Sequence, residues 1–220
     1  MKKSKIKNQK SKICAGFTLI EMLIVISIIS VLLGLLYGAL ERAQKFSRRA
    51  IAYTELKNIE TAFKQYEAHY HFWPTNALNI IKSGEDQGFI IDKAFAQVLQ
   101  GVSKDYEALM NEVNPAGIPF MEFARYNRDS GHPVNPFKSL SSNSDDTTRA
   151  YRVMFDSNGD NQIEVPGDDP AVPNDTASEI VFKSVAVWTY IPGPRTTDSS
   201  GNKNAVTDVM LGSWSPFATK

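Results

Sequence analysis

Two places in this chain put side chains where they could do chemistry. The first is Glu21, a lone carboxylate near the start of the apolar run "GFTLIEMLIVISIISVLLGLLYGAL", residues 16–40. The second is "DSNGDNQIE", in which Asp156, Asn158 and Asp160 alternate as in the first half of a calcium loop, with Gln162 to offer a carbonyl. In that register Asn161 stands where glycine makes the turn, and asparagine tolerates the left-handed conformation. The twelfth position is Gly167 in place of the expected bidentate glutamate, with Asp168 or Asp169 as substitutes. The same residues also read as a hairpin turn on Asn158-Gly159, and the two readings are compatible. Catalytic signatures are absent: no G-x-x-x-x-G-K-[ST], no H-E-x-x-H and no G-x-S-x-G occurs. Ser200 and Lys203 have S-x-x-K spacing, but within a Gly/Asn/Ser-rich loop that cannot hold a rigid catalytic pair.

The element that positions Glu21 is decided by length. From Met22 to Leu40 there are nineteen residues without a charge, and about 20 apolar residues span a bilayer as a helix. The run is apolar all round, unlike the one-sided pattern of a soluble core helix. A cleaved secretory signal has a shorter apolar stretch ending at small residues, whereas here Ala15-Gly16 precede it. Six lysines and no acid lie in the first twelve residues; four basic residues, Arg42, Lys45, Arg48 and Arg49, follow the span. That bias places the lysine-rich end in the cytoplasm. Net charge is +0 overall, but without the first twelve residues 18 basic side chains face 24 acids, a net of −6. No nucleic-acid partner is expected of such a body. The single cysteine, Cys14, excludes an intramolecular disulfide.

A carboxylate near the end of a membrane helix is either tolerated by snorkelling or held by a partner. A cut after Gly16 would free the amino group of Phe17. A neighbouring copy's new amine could then pair with Glu21 in apolar surroundings, and a misaligned copy would bury an unpaired charge.

"GFTLIEMLIVISIISVL" resembles the processing and transmembrane signature of type IV pilins and type II secretion pseudopilins. The resemblance covers the basic leader, Gly16 at the cleavage position, Phe17 as first mature residue and Glu21 as the fifth. It implies cleavage after Gly16 and methylation of Phe17 by a prepilin peptidase, lipid around the helix before assembly, an inner-membrane assembly platform, and a filament of like copies and other pseudopilins. "VAVWTYIPG" followed by "DVMLGSW" is similar to the closing strand and tail of major pseudopilins, with extra residues between Asp208 and Trp214 and with Pro192 in place of a smaller residue. Major pseudopilins hold calcium in the loop before the final Trp, which by analogy makes Asp198 and Asp208 candidate ligands. Calcium is thus expected in one of two loops. The resemblance places the globular part in the periplasm and gives the chain the role of a structural subunit rather than an enzyme. Its alternatives are a type IV pilus or DNA-uptake pilin and, in another class, a calcium-dependent adhesin carried on a filament.

The rest of the chain sets the expected architecture. Nothing but Gly34 and Gly38 opposes a helix from Phe17 to Trp73. Its outer half carries an apolar stripe, Phe46, Ala50, Tyr53, Leu56, Ile59, Phe63, Tyr66 and Tyr70, suited to packing on a sheet. His69 and His71 are two apart and read as surface residues. Short helices are expected over "WPTNALNIIKSG", closed by Gly84; "IDKAFAQVLQG", capped by Asp92 and stopped by Gly101; and "SKDYEALMNEV", capped by Ser103 and ended by Pro115. Strands are expected at "IPFMEFARY", "YRVMF", "QIEV", "EIVFKSVAVWTYI" and "VMLGSW", with "RTTDSSGNKNAVTD" a polar loop. The sum is an α+β, pilin-like arrangement in four segments: a leader over 1–16, a membrane and polymerisation helix over 17–40, the outer helix over 41–73, and an α+β globular domain with a small antiparallel sheet over 74–220.

Overall fold

The computed structural model describes residues 17–74, 80–82, 87–102, 106–128, 130–137, 147, 149–165, 179–196 and 205–214. The chain divides into two compact units, 1–45 and 46–220. Helix α1 runs from Leu19 to Tyr70, 52 residues without a break. Its buried positions begin at Ala52 and continue through Leu56, Ile59, Phe63 and Tyr66, alternating steps of four and three. The expected stripe is therefore covered only in its later part: Phe46 is 75% exposed and Ala50 is also exposed. Left-handed His71 (φ 62) ends the helix, its N–H bonded to the Glu67 carbonyl at 2.7 Å. His69 and His71 are both exposed.

The described strands are β1 (Ile80–Lys82), β2 (Gln87–Ile90), β3 (Arg152–Phe155), β4 (Ile163–Val165), β5 (Glu179–Val181), β6 (Val185–Thr196) and β7 (Ala205–Gly212). They form an antiparallel sheet of order β1-β2-β3-β6-β7 and a separate antiparallel pair, β4-β5. Both faces of the larger sheet are covered. Val153, Phe155, Val185, Val187, Ile191 and Leu211 belong to the cluster that holds the α1 stripe. Met154, Ala186, Trp188, Tyr190 and Met210 point the other way, onto Ile163, Val165 and Val181 of the small pair. Two-sided burial explains why "VAVWTYI" is a continuous apolar run rather than an alternating one. Helix α1 thus packs on a small antiparallel sheet, the α+β, pilin-like arrangement expected.

Two short helices lie between β2 and β3. Helix α2 (Lys93–Leu99) is capped as expected, the Asp92 carboxylate accepting from Phe95 N at 2.8 Å, and Gly101 follows it at φ 68. Helix α3 (Glu107–Val113) starts later than expected, with Tyr106 at the cap position and no side-chain capping bond; Ser103 lies outside the described residues. At its end Asn114 is fully buried and uses both amide atoms. Its Nδ2 donates to Val98 O (2.7 Å) and Ile118 O (2.8 Å), and its Oδ1 accepts from Tyr70 Oη (2.7 Å) and Ile118 N (3.0 Å). Tyr66 Oη donates to Val113 O at 2.6 Å, so two α1 tyrosines pin the helix end to α3.

Four expectations are corrected. Ile80–Lys82, read as part of a helix, is strand β1; the rest of that stretch before Gly84, from 75 to 79, and Gly84 itself lie outside the described residues. "IPFMEFARY" forms no strand: it bends at Ala124 and makes only the isolated bridge Tyr126↔Pro133, where the facing segment "HPVNP" carries two prolines that cannot donate to a ladder. "EIVFKSVAVWTYI" is two strands: the chain turns at Phe182–Ser184 to pass from the β4-β5 pair to the main sheet. The polar loop after it is shorter than read, since Arg195 pairs with Val206 and Thr196 with Ala205.

That turn is tied to α1 by an ionic cluster. Glu60 is 4% exposed, and its carboxylate accepts from Lys183 at 2.8 Å and from Lys57 and Lys64 at 3.0 Å each. Burial alone would raise its pKa; the hydrogen bonds from Lys183, Lys64 and Lys57 outweigh it and bring the value down to about 2. A depressed carboxylate stabilises the fold above its unfolded pKa of 4.5, and that contribution is lost as pH falls from there through about 2. Urea melts of residues 42–220 should show the parent losing about 2 kcal/mol more than Glu60→Gln between pH 5 and pH 2, after allowance for the half-exposed lysines. Parallel losses in the two proteins would contradict the assignment.

Candidate processing and assembly segment

Helix α1 begins at Leu19, so Phe17 and Thr18 precede it as non-helical chain. Gly16 lies outside the described residues. Thr18 sits at the cap position and Glu21 is the third helical residue. Thr18 N donates to Glu21 Oε2 at 2.8 Å, Thr18 Oγ1 donates to the same oxygen at 2.7 Å, and Glu21 N donates to Thr18 Oγ1 at 3.3 Å. This is a reciprocal capping box, two otherwise orphaned backbone N–H groups satisfied by two side chains. The acid also sits at the positive end of the helix dipole. This local role is additional to the two read from the sequence, tolerance by snorkelling or pairing with another copy; its sequence signal is T-x-x-E before an apolar run.

Beyond the cap, the helix from Leu19 to Leu40 is uncovered by the described residues of the chain. Phe17 is 75% exposed, Leu19 83%, Leu35 75% and Tyr37 76%. By length and composition α1 contains a stretch able to cross a membrane. Ser27 and Ser30 return their hydroxyls to the carbonyls of Ile24 and Ile26, both at 2.7 Å, so these polar groups are satisfied within the helix. The surface is apolar without interruption, with the single charge of Glu21 near one end.

The structure brings Asp156, Asn158, Asp160 and Gln162 together in the loop between β3 and β4, with Asn161 left-handed as expected (φ 59). Each side-chain oxygen of the first three accepts a hydrogen bond. Asp156 takes Gly159 N (2.7 Å) and Asn161 N (2.8 Å), Asn158 takes Asp160 N (2.9 Å), and Asp160 takes Gln162 N (2.7 Å) and Asn158 Nδ2 (3.1 Å). The loop therefore closes on its own peptide groups, and among the described residues no group of three His, Cys, Asp or Glu is assembled to hold a metal. The hairpin reading of Asn158-Gly159 is corrected. Strand β3 is occupied on both edges by β2 and β6, so β4 pairs with β5 instead. Asp208 lies in β7 opposite Pro192, away from that loop in sequence, while Asp198, Gly167, Asp168, Asp169, Ser200 and Lys203 fall outside the described residues.

A groove of about 430 Å³ lies between α1 and residues 120–125, closed at its polar end by Glu55 bonded to Arg125 and Tyr151. Burial pushes the Tyr151 hydroxyl up, which keeps it a neutral donor to Glu55. No Ser, Cys, His or Lys is among the described residues that line this groove.

Residues 11–37 match the family described as the prokaryotic N-terminal methylation motif. The match spans the junction Gly16–Phe17, the Thr18–Glu21 cap and most of the uncovered helix, and it supports a type IV pilin-like chain that a prepilin peptidase processes. No match was found among curated proteins or among solved structures.

Proposed function

We propose that this chain is a structural subunit of a type II secretion pseudopilus. It is inserted into the bacterial inner membrane with its lysine-rich end cytoplasmic and residues 41–220 periplasmic. Prepilin peptidase cuts between Gly16 and Phe17 and methylates the new amine. The subunit then joins a filament through its N-terminal helix and helps push cargo across the outer membrane. The observation that carries this reading is the coincidence of the methylation motif with a helix segment uncovered by the described chain and bearing one carboxylate near its start. The preference for secretion over a pilus rests on the resemblance of "VAVWTYIPG" and "DVMLGSW" to the closing strands of major pseudopilins. In the structure these residues are β6, β7 and a turn in which Trp214 lies over Gly212, where a Cβ would come within 2.5 Å of the indole.

Mass analysis of the N-terminus of the protein from its native membrane tests the processing step. The expected product starts at Phe17 and carries one added methyl group. A chain that keeps its lysine-rich head would overturn the proposal. Gene deletion separates the filament types: a block in secretion is expected, whereas loss of pili or DNA uptake with normal secretion supports the type IV alternative. Calcium binding by residues 156–162 is a separate proposal, supported by the alternate spacing of Asp156, Asn158 and Asp160. Excess calcium should raise the melting temperature of residues 42–220 over that in chelator, and an unchanged melt removes the ion from the reading.

A further inference from the structure

The groove of about 430 Å³ between α1 and residues 120–125 is of the size that holds small ligands, roughly 300–1,000 Å³. One wall is helix α1. Asn58, Thr61 and Gln65 stand on it at steps of three and four, hence on one face, and all three are exposed. The Thr61 hydroxyl is returned to Lys57 O at 2.8 Å, but the amides of Asn58 and Gln65 make no hydrogen bond among the described residues. The charges of these turns, Lys57, Glu60 and Lys64, lie on the opposite flank of the buried stripe. The facing wall supplies Phe120, half-buried and held among Tyr66, Tyr70 and His69 with ring centroids 5.3, 6.0 and 6.5 Å away. Arg125 neutralises Glu55, which leaves Glu122 as the net charge of the described lining. This lining selects against three kinds of occupant. An anion would meet Glu122 and an arginine that is already paired. A strand-like peptide needs a free run of backbone N–H and C=O groups. Here the N–H groups of Phe120 and Met121 are given to Leu99 O, Arg125 O is taken by Val134 N, and the chain bends at Ala124. An amphipathic helix needs an apolar wall in place of amides. A sugar chain meets all the conditions. Its hydroxyls both donate and accept, as each amide side chain does, and the electropositive C–H edge of a pyranose suits the negative face of an aromatic ring.

We propose that this groove binds an uncharged oligosaccharide, with Asn58 and Gln65 hydrogen-bonded to its hydroxyl or acetamido groups and Phe120 under a ring face. The site lies wholly within the unit 46–220 and is independent of which filament the chain joins. Titration calorimetry of the full chain in a detergent without sugar tests it, with an N-acetylglucosamine hexamer, maltohexaose and an uncharged Gln/Val decapeptide as probes. At least one hexasaccharide should bind with a Kd below about 1 mM. Asn58→Ala and Gln65→Ala should each weaken that binding about fivefold or more. Asn111→Ala, at an exposed amide of α3 that does not line the groove, should leave it unchanged. Alanine is the best helix former, so both α1 variants keep the helix that carries the wall. Binding of the first hexasaccharide alone means that acetamido groups are read, and binding of both means that hydroxyls suffice; either result supports the proposal. No binding of either sugar, binding of the decapeptide in their place, or sugar binding indifferent to both α1 substitutions overturns it.

Discussion

Glu21→Gln should be inserted and processed normally yet yield less than about a tenth of the parent's filament, because an amine left without its acid in apolar surroundings costs about 3 kcal/mol or more. The substitution is informative because of the capping box. Glutamine serves at the third helical position almost as well as glutamate, so the helix start is kept and only the charge is removed. Thr18→Ala is the complement. It removes the hydroxyl that both donates to Glu21 and accepts from its N–H, at a cost of about 1 kcal/mol to the helix start, and leaves the carboxylate ionised. If Glu21 serves as the partner of a neighbour's Phe17 amine, Glu21→Gln is severe and Thr18→Ala is mild. If its role is confined to the cap, the order reverses. Filament yield by sedimentation, with membrane content and N-terminal mass as controls, separates the two, and a normal yield from Glu21→Gln contradicts the register argument.

The cap also shows what a sequence holds and what it hides. Local signals were legible. Asp92 and Gly101 bound a helix where expected because both act through their own backbone neighbourhood, and the absence of any breaker gave α1 almost to its ends. What depended on distant partners was not. "EIVFKSVAVWTYI" has one composition throughout, and only its pairing partners divide it: β4 takes the first part, β3 and β7 the second. The hairpin at Asn158-Gly159 failed for the same reason, since the turn chemistry is present but β3 had no free edge to offer. Glu60 and Asn114 gave no signal at all. A glutamate among lysines reads as a solvated face, and an asparagine before proline reads as a loop. Their burial follows from which side of α1 meets the sheet and from how α3 returns to Tyr70.

The stripe on α1 supplies the largest expected effect on folding, and two of its phenylalanines should behave oppositely. Phe63 is fully buried, with ring centroids 5.1 Å from Phe155, 6.0 Å from Phe95 and 6.4 Å from Phe89. It joins the helix to β2, β3 and α2 at once, so truncation leaves a cavity that three separate elements would have to move to fill. Phe63→Ala should cost about 4 kcal/mol in urea melts of residues 42–220, a large part of the roughly 5–15 kcal/mol that holds an ordinary domain. Phe46 belongs to the same helical spacing but is 75% exposed. Phe46→Ala should therefore change the same melts by less than about 0.5 kcal/mol. Equal losses from the two would mean that the sheet covers α1 further toward its N-terminus than Ala52. The expected contrast leaves an apolar ring on the outer helix that contributes nothing to the fold of its own chain, which is what the proposed filament role would require of it.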